Sequence, residues 1–260
     1  MWMNAFKATV AICLFFVAFL FSKDFSHMPD PKSLMAFFIS GLIGLNIGDI
    51  FLMKAFTRIG AARTLMIFSF QPIFLGIFGY LIFNQTLDPS KAIAIIFMMA
   101  CVLTMSYEKF KQEGHWELKG PLYAGLGVLL DSFGILLTRY AFNSDPVITT
   151  MEGNFYRCVG AITGFILMAQ IKPFRLWATF KSFKRKSRTV VILAAVLGTF
   201  VSLTLYLSAV RYGTLAAVSA VVGTGPIFAA LIEAIVTKKW PSKYLYFALA
   251  LFGIGFYLLF

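Results

Sequence analysis

Four ionisable side chains fall inside long apolar stretches of this sequence: Asp49, Asp131, Arg157 and Glu233. A charge held in an apolar medium costs about 2.5–3.5 kcal/mol even on lenient scales unless protein or water faces it. Such residues therefore mark a solute pathway, a proton relay, or an ion pair that holds two helices together. Asp131 and Arg157 flank one hairpin at similar depth, roughly 14–17 Å from its tip at 1.5 Å rise per residue, so we expect them to interact. Asp131 is the candidate for proton coupling, with a purely structural pair as the competing reading. Lys54 is a local partner for Asp49, and Glu233 lies near a helix end where it can snorkel.

Two prolines form a second constellation. Pro72 and Pro226 each remove a backbone N–H from an apolar run. That frees a carbonyl acceptor, which is tolerable in lipid only where protein or a wet cavity meets it. Ser69 and Gln71 surround the first proline, and Gly223, Thr224 and Gly225 the second. The preceding runs carry Asn46, Gly48 and Asp49, then Thr199, Ser202, Thr204 and Tyr206. An ordinary packing kink is the competing reading for both prolines.

Catalytic chemistry has little to stand on. His27 and His115 both lie in polar loops, and no HExxH, GxSxG or CxxC spacing occurs. Cys13, Cys101 and Cys158 sit in apolar runs and read as small buried hydrophobes. Neither a metal nor a cofactor is expected.

The elements that must position these residues follow from composition. Of 260 residues, 60% are hydrophobic and 13% charged, with 30 Phe and 11 Met, against roughly 45–50% and about 25% in soluble domains. A chain of this size cannot bury so much apolar surface in its own core, so lipid must be the solvent. Apolar runs of spanning length fall at 3–21, 34–56, 62–83, 91–107, 120–141, 148–170, 189–210, 214–237 and 243–260. The expected fold is all-α, a polytopic membrane protein with nine transmembrane helices. The first run has no small-x-small cleavage site after it and reads as a retained span, not a signal peptide. The net charge of +12 sits in short loops between spans, which suits orientation in a membrane and argues against nucleic acid.

The chain repeats itself. Met1, Asn4 and Lys7 recur as Met151, Asn154 and Arg157; Gly44 and Ala55 as Gly198 and Ala209; Pro72-Ile73-Phe74 as Pro226-Ile227-Phe228; and Pro89-Ser90-Lys91 as Pro241-Ser242-Lys243. Spans one to four thus match six to nine, and the fifth has no partner. The expected organisation is a four-helix first copy (1–107), a linker loop (108–119) and a five-helix second copy (120–260). A five-helix unit inserts its second copy upside down, an architecture from which many secondary transporters are built. Sorting Lys and Arg by loop places 17 on one side and five (Lys23, Lys32, Lys91, Arg139, Arg211) on the other. The N-terminus and the 172–188 loop are then cytoplasmic, and the C-terminus faces outward.

The stretches Gly198…Ala209-Val210-Arg211-Tyr212-Gly213…Ala216-Ala217…Pro226-Ile227-Phe228-Ala229-Ala230 and Gly44…Lys54-Ala55-Phe56…Gly60-Ala61-Ala62…Pro72-Ile73-Phe74 resemble EamA-type repeats of the drug/metabolite transporter superfamily. That resemblance implies paired inverted repeats and transport of a small organic solute. The family pattern has ten helices, a Glu at the outer end of the fourth helix of many repeats, and both termini in the cytoplasm. This sequence departs on each count: the opening helix is missing, Gln85 and Lys239 stand at the Glu positions, and the charge split puts the C-terminus outside.

The reading is a multi-pass protein of the plasma or inner membrane, a secondary transporter working by alternating access. Its expected cavity residues are Asn46, Asp49, Ser69, Gln71, Pro72, Asp131, Arg157, Thr199, Ser202, Tyr206, Thr224 and Pro226, on runs 34–83, 120–141 and 189–237. Its partners are a small-molecule substrate and the lipid bilayer, and pairing with a second copy as a homodimer is admitted. The rival is a membrane scaffold or sensor that keeps the fold without transporting.

Overall fold

A computed structural model describes residues 2–22, 27–113, 119–171, 176–238, 240 and 242–259. Regular structure among them is entirely helical. The helices are α1 (Trp2–Ser22), α2 (Pro31–Ser40), α3 (Asp49–Phe68), α4 (Gln71–Phe83), α5 (Pro89–Glu113), α6 (Lys119–Ser144) and α7 (Thr150–Ile171). They continue with α8 (Leu176–Ser182), α9 (Arg185–Ala195), α10 (Ser202–Tyr212), α11 (Leu215–Gly223), α12 (Gly225–Thr237) and α13 (Lys243–Leu259). Two π-helical segments, Gly41–Gly48 and Val196–Val201, join α2 to α3 and α9 to α10. Among the described residues six stretches are long and apolar enough to cross a membrane: Trp2–Phe21, Pro31–Ala61, Arg63–Phe83, Lys119–Ser144, Arg185–Tyr212 and Leu215–Val236. Pro89–Thr104 and Lys243–Leu259 are shorter apolar helices.

The chain divides into two compact units, 1–50 with 133–212 and 51–132 with 213–260. Each therefore draws segments from both expected copies. In the first unit α7 is the central helix, packed by α1, α2, the 41–48 segment and α10. Neighbouring helices cover its first four turns, which is why it can bury Glu152, Asn154 and Arg157. Its approach to α2 is set by glycines. A Cβ on Gly160 would stand 2.0 Å from the Phe38 carbonyl oxygen, and one on Gly41 1.8 Å from that of Arg157. Only residues without side chains let two backbones meet so closely, a common device in lipid, where no hydrophobic force drives helices together. Phe37 and Phe142 close the core edge to face at 4.9 Å.

In the second unit α5 runs along α13, while α11 packs on α4 and α5. Met98 and Cys101 of α5 face Gly255, Leu245 and Ala248 of α13, and the buried Cys101 thiol donates to the Ala248 carbonyl at 2.8 Å. Small residues again permit the contact: a Cβ on Gly255 would lie 3.1 Å from the Ala94 carbonyl oxygen.

Several expected boundaries move. Asp30-Pro31 does open a helix: Asp30 accepts the Ser33 amide at 3.3 Å and Pro31 takes the first position, where its missing N–H is harmless. The break expected over 58–62 is instead a kink inside α3 at Gly60, whose φ of 78° suits glycine. Helix α5 runs on to Glu113, so the first half of the expected linker 108–119 is helical. Lys and Glu are good helix formers, and a helix can continue into water past its apolar stretch. The loop expected over 172–188 holds α8 and the start of α9. His115, Lys172, Arg175, Lys239 and Pro241 lie outside the described residues.

Candidate functional site

The two prolines begin helices; they do not kink them. Helix α3 ends at Phe68, Ser69 and Phe70 form a turn, and α4 restarts with Pro72 at its second position; α11 and α12 meet in the same way around Thr224 and Pro226. The backbone before each restart is nearly the same, φ −85° and ψ −4° at Phe70 against φ −77° and ψ −2° at Thr224. A first-turn N–H has no intrahelical partner, so proline sacrifices nothing there. The hydroxyls match as well. Ser69 Oγ donates to the Met66 carbonyl at 2.7 Å, and Thr224 Oγ1 to the Val221 carbonyl at 2.6 Å. Both restarted helices end on a left-handed residue, Asn84 (φ 52°) and Lys238 (φ 53°).

Gln71 sits at the first of these breaks and uses both ends of its amide. Nε2 donates to Asp131 Oδ2 at 2.6 Å, and Oε1 accepts from Ser219 Oγ at 3.1 Å. One nearly buried side chain thus ties α4 to α6 and α11. Beside it Ser69, Pro72 and Ser219 line a narrow cleft whose apolar wall includes Phe68, Met98 and Val102. Gln85, at a position where the family pattern favours Glu, accepts the Leu215 amide at 3.1 Å and caps the start of α11.

The first unit holds a second polar network. Arg157 is 1% exposed, and its Nε donates to Ser40 Oγ at 3.1 Å. Ser40 Oγ in turn donates to the Gly134 carbonyl at 2.7 Å and lies 2.7 Å from Thr138 Oγ1. Asn46, inside the first π segment, donates to the Ala161 carbonyl at 3.5 Å. Asn4 donates to Asp49 Oδ2 at 3.5 Å, and its sequence counterpart Asn154 to the Leu203 carbonyl at 3.1 Å. Thr199 lies half-buried in the second π segment and Ser202 is exposed at the start of α10. Tyr206 packs against the cluster of Phe37, Phe142 and Leu207. Asp131 and Arg157 belong to different units, and each has its own partner within its unit. Lys54 lies over the Phe51 and Tyr123 rings at 5.3 and 5.6 Å. The side chain of Glu233 lies outside the described residues.

A polar clasp closes the loops at one end of the first unit. The buried Asp145 carboxylate receives His27 Nε2 at 2.9 Å, the Asp30 amide at 3.0 Å and the Val147 amide at 3.2 Å. Burial alone would raise the Asp145 pKa, but these donors and the His27 charge outweigh it and hold the carboxyl below the usual range. Arg211 donates to the Ile148 and Pro146 carbonyls, and Arg139 to those of Val210 and Arg211.

Ser40, Thr138 and Ser219 escaped the sequence reading. Their one signal was a hydroxyl in an apolar run, which looks the same whether it faces lipid or protein. Asn154 carried a better signal, its recurrence with Asn4.

Comparison with known proteins agrees with this geometry. No curated protein matches the chain significantly. A solved structure described only as "Crystal structure of protein" shares the fold, with a TM-score of 0.80 at 14% identity over 99% of this chain and 85% of its own. The family model of the EamA-like transporter family matches residues 1–107 and 118–260. With its long apolar helices this is an integral multi-pass membrane protein, and the chain belongs to the EamA-like transporter family.

Proposed function

We propose that this protein is a secondary transporter of a small organic solute, built from nine spans in two inverted copies and working by alternating access, with Asp131 as its proton-coupling carboxylate. The observation that carries the reading is the pair of proline-initiated helices, α4 and α12, each opening at an interrupted segment with matching backbone angles and a matching hydroxyl bond. Interrupted helices in corresponding positions of two copies are the best structural pointer to a transporter site. The paired π segments around Asn46 and Thr199 support it further, since π-bulges concentrate at functional positions.

Gln71 gives this site its chemistry. The Asp131 carboxylate accepts from the neutral Gln71 amide at 2.6 Å, and its protonation would free the Gln71 Nε2 to donate to a solute. The charge split supports a cytoplasmic N-terminus and an outward C-terminus.

The test is flux by purified protein in liposomes, after thermal-shift screening against amino acids, nucleosides and amphipathic cations to choose the solute. Asp131→Asn should fold and bind yet lose the pH dependence of transport. A fully active, normally pH-dependent variant removes Asp131 from the mechanism. Binding without flux in the wild type would favour the sensor reading.

A further inference from the structure

A cluster outside the polar networks lies where the chain leaves α7 and enters α9. Trp2 Nε1 donates to the Leu176 carbonyl at 3.0 Å, which ties the start of α8 to α1. Trp2 stacks on Phe6 at 5.3 Å, Phe6 on Phe180 at 4.9 Å, and Phe183 meets the Trp2 edge at 5.4 Å. Arg188 then folds the following turn on itself by donating to the Phe183 and Lys181 carbonyls. The segment is thus fixed by rings, and its Lys181, Lys184, Arg185 and Lys186 are all exposed.

Orientation in a membrane calls for cations on this side, but the sequence near this segment supplies them no carboxylate. No Asp or Glu occurs anywhere in residues 153–232, nor in α1, which anchors the segment. Arg185 and Lys186 open α9, the helix end at which a positive charge is unfavourable. Trp177, 63% exposed beside Phe180, is the residue type that settles at the headgroup level of a bilayer.

We infer that residues 176–188 form a docking site for the headgroups of anionic phospholipids, in which the aromatic cluster sets the depth of the segment and Lys181, Lys184, Arg185 and Lys186 bind the phosphates. The segment runs into Arg185–Tyr212, a stretch long and apolar enough to cross a membrane, so its cations stand at the start of a span. The site is independent of the solute pathway and stands or falls apart from it.

The test uses the purified full chain in vesicles and reads tryptophan quenching by brominated phosphatidylglycerol against brominated phosphatidylcholine, with Trp177→Phe identifying the Trp177 contribution. Wild-type Trp177 should be quenched preferentially by the anionic lipid. Each cation removed should lower the apparent preference roughly fivefold, so that K184Q/R185Q/K186Q abolishes it. Inorganic phosphate should not compete if the docked group is a lipid. Equal quenching by the two lipids, or a preference that survives the triple variant, overturns the inference. Should that variant misfold, wild type in about 0.5 M salt, where the screening length falls to roughly 4 Å, decides the matter: an undiminished preference there also overturns it.

Discussion

Replacing Gly160 by alanine tests the packing on which the Arg157 network depends. The added Cβ would stand 2.0 Å from the Phe38 carbonyl oxygen, where ordinary contact begins at 3.4 Å. The obstacle is backbone, so no side chain can swing aside and α7 must retreat from α2 by about 1.4 Å. The same retreat would stretch the Arg157 Nε–Ser40 Oγ bond from 3.1 Å to about 4.5 Å, beyond hydrogen-bonding range. Overpacking costs about 1–3 kcal/mol and a lost buried hydrogen bond a further ~1–3, giving a destabilisation of about 2–6 kcal/mol. For a chain of this size that lowers the melting temperature by roughly 4–24 °C, measurable by thermal unfolding in detergent. Gly253→Ala is the control, because nothing lies within 4 Å of its added carbon; it should melt with the wild type or slightly above it. If Gly160→Ala also melts with the wild type, the close approach of α7 and α2 is not as described.

Gln71→Leu removes the 2.6 Å donor to Asp131 and should destabilise by about 1.5–3 kcal/mol in the same assay; an unchanged melt would refute the bridge. The carboxyl of Asp145 is held below its usual range, so its stabilisation is full above the ordinary carboxylate pKa and is lost as pH falls through the lower, folded value. Hydrogen exchange at 27–30 and 145–149 should accordingly quicken on acidification below about pH 4, and in Asp145→Asn should be fast at neutral pH as well; exchange indifferent to both changes would sink the clasp. In a cysteine-free background, cysteines at Ser69 and Thr224 should react with a membrane-impermeant thiol reagent while one at Phe252 does not, and equal labelling would exclude a water-filled route past the helix breaks.

How legible this was depended on whether the chemistry is local. Asp30-Pro31 and Asn84 could be read as helix ends because capping involves residues a few positions apart. Pro72 and Pro226 stood out through recurrence, although recurrence alone did not say that they start helices. The π segments left no signature, since Gly41–Gly48 reads like any apolar helix. Ser219 became informative only when folding brought it to Gln71 across 148 positions. Gln71 itself was readable because an amide beside a proline in an apolar run needs a partner; which partner was not.

The division of the chain has a consequence for its biogenesis. Ser40 meets Arg157 across 117 positions, and Asn46 meets Ala161 across 115. A ribosome adding about 5–20 residues per second needs roughly 5–25 s to make that interval. Throughout that delay the newly inserted α2 and the π segment after it carry Ser40 and Asn46 without the helix that will enclose them. The insertion machinery must shelter them, or a transient neighbour must occupy the face that α7 will take. Pausing synthesis between Ser144 and Thr150 should therefore prolong crosslinking of position 40 to the insertion machinery, and release should follow the emergence of α7.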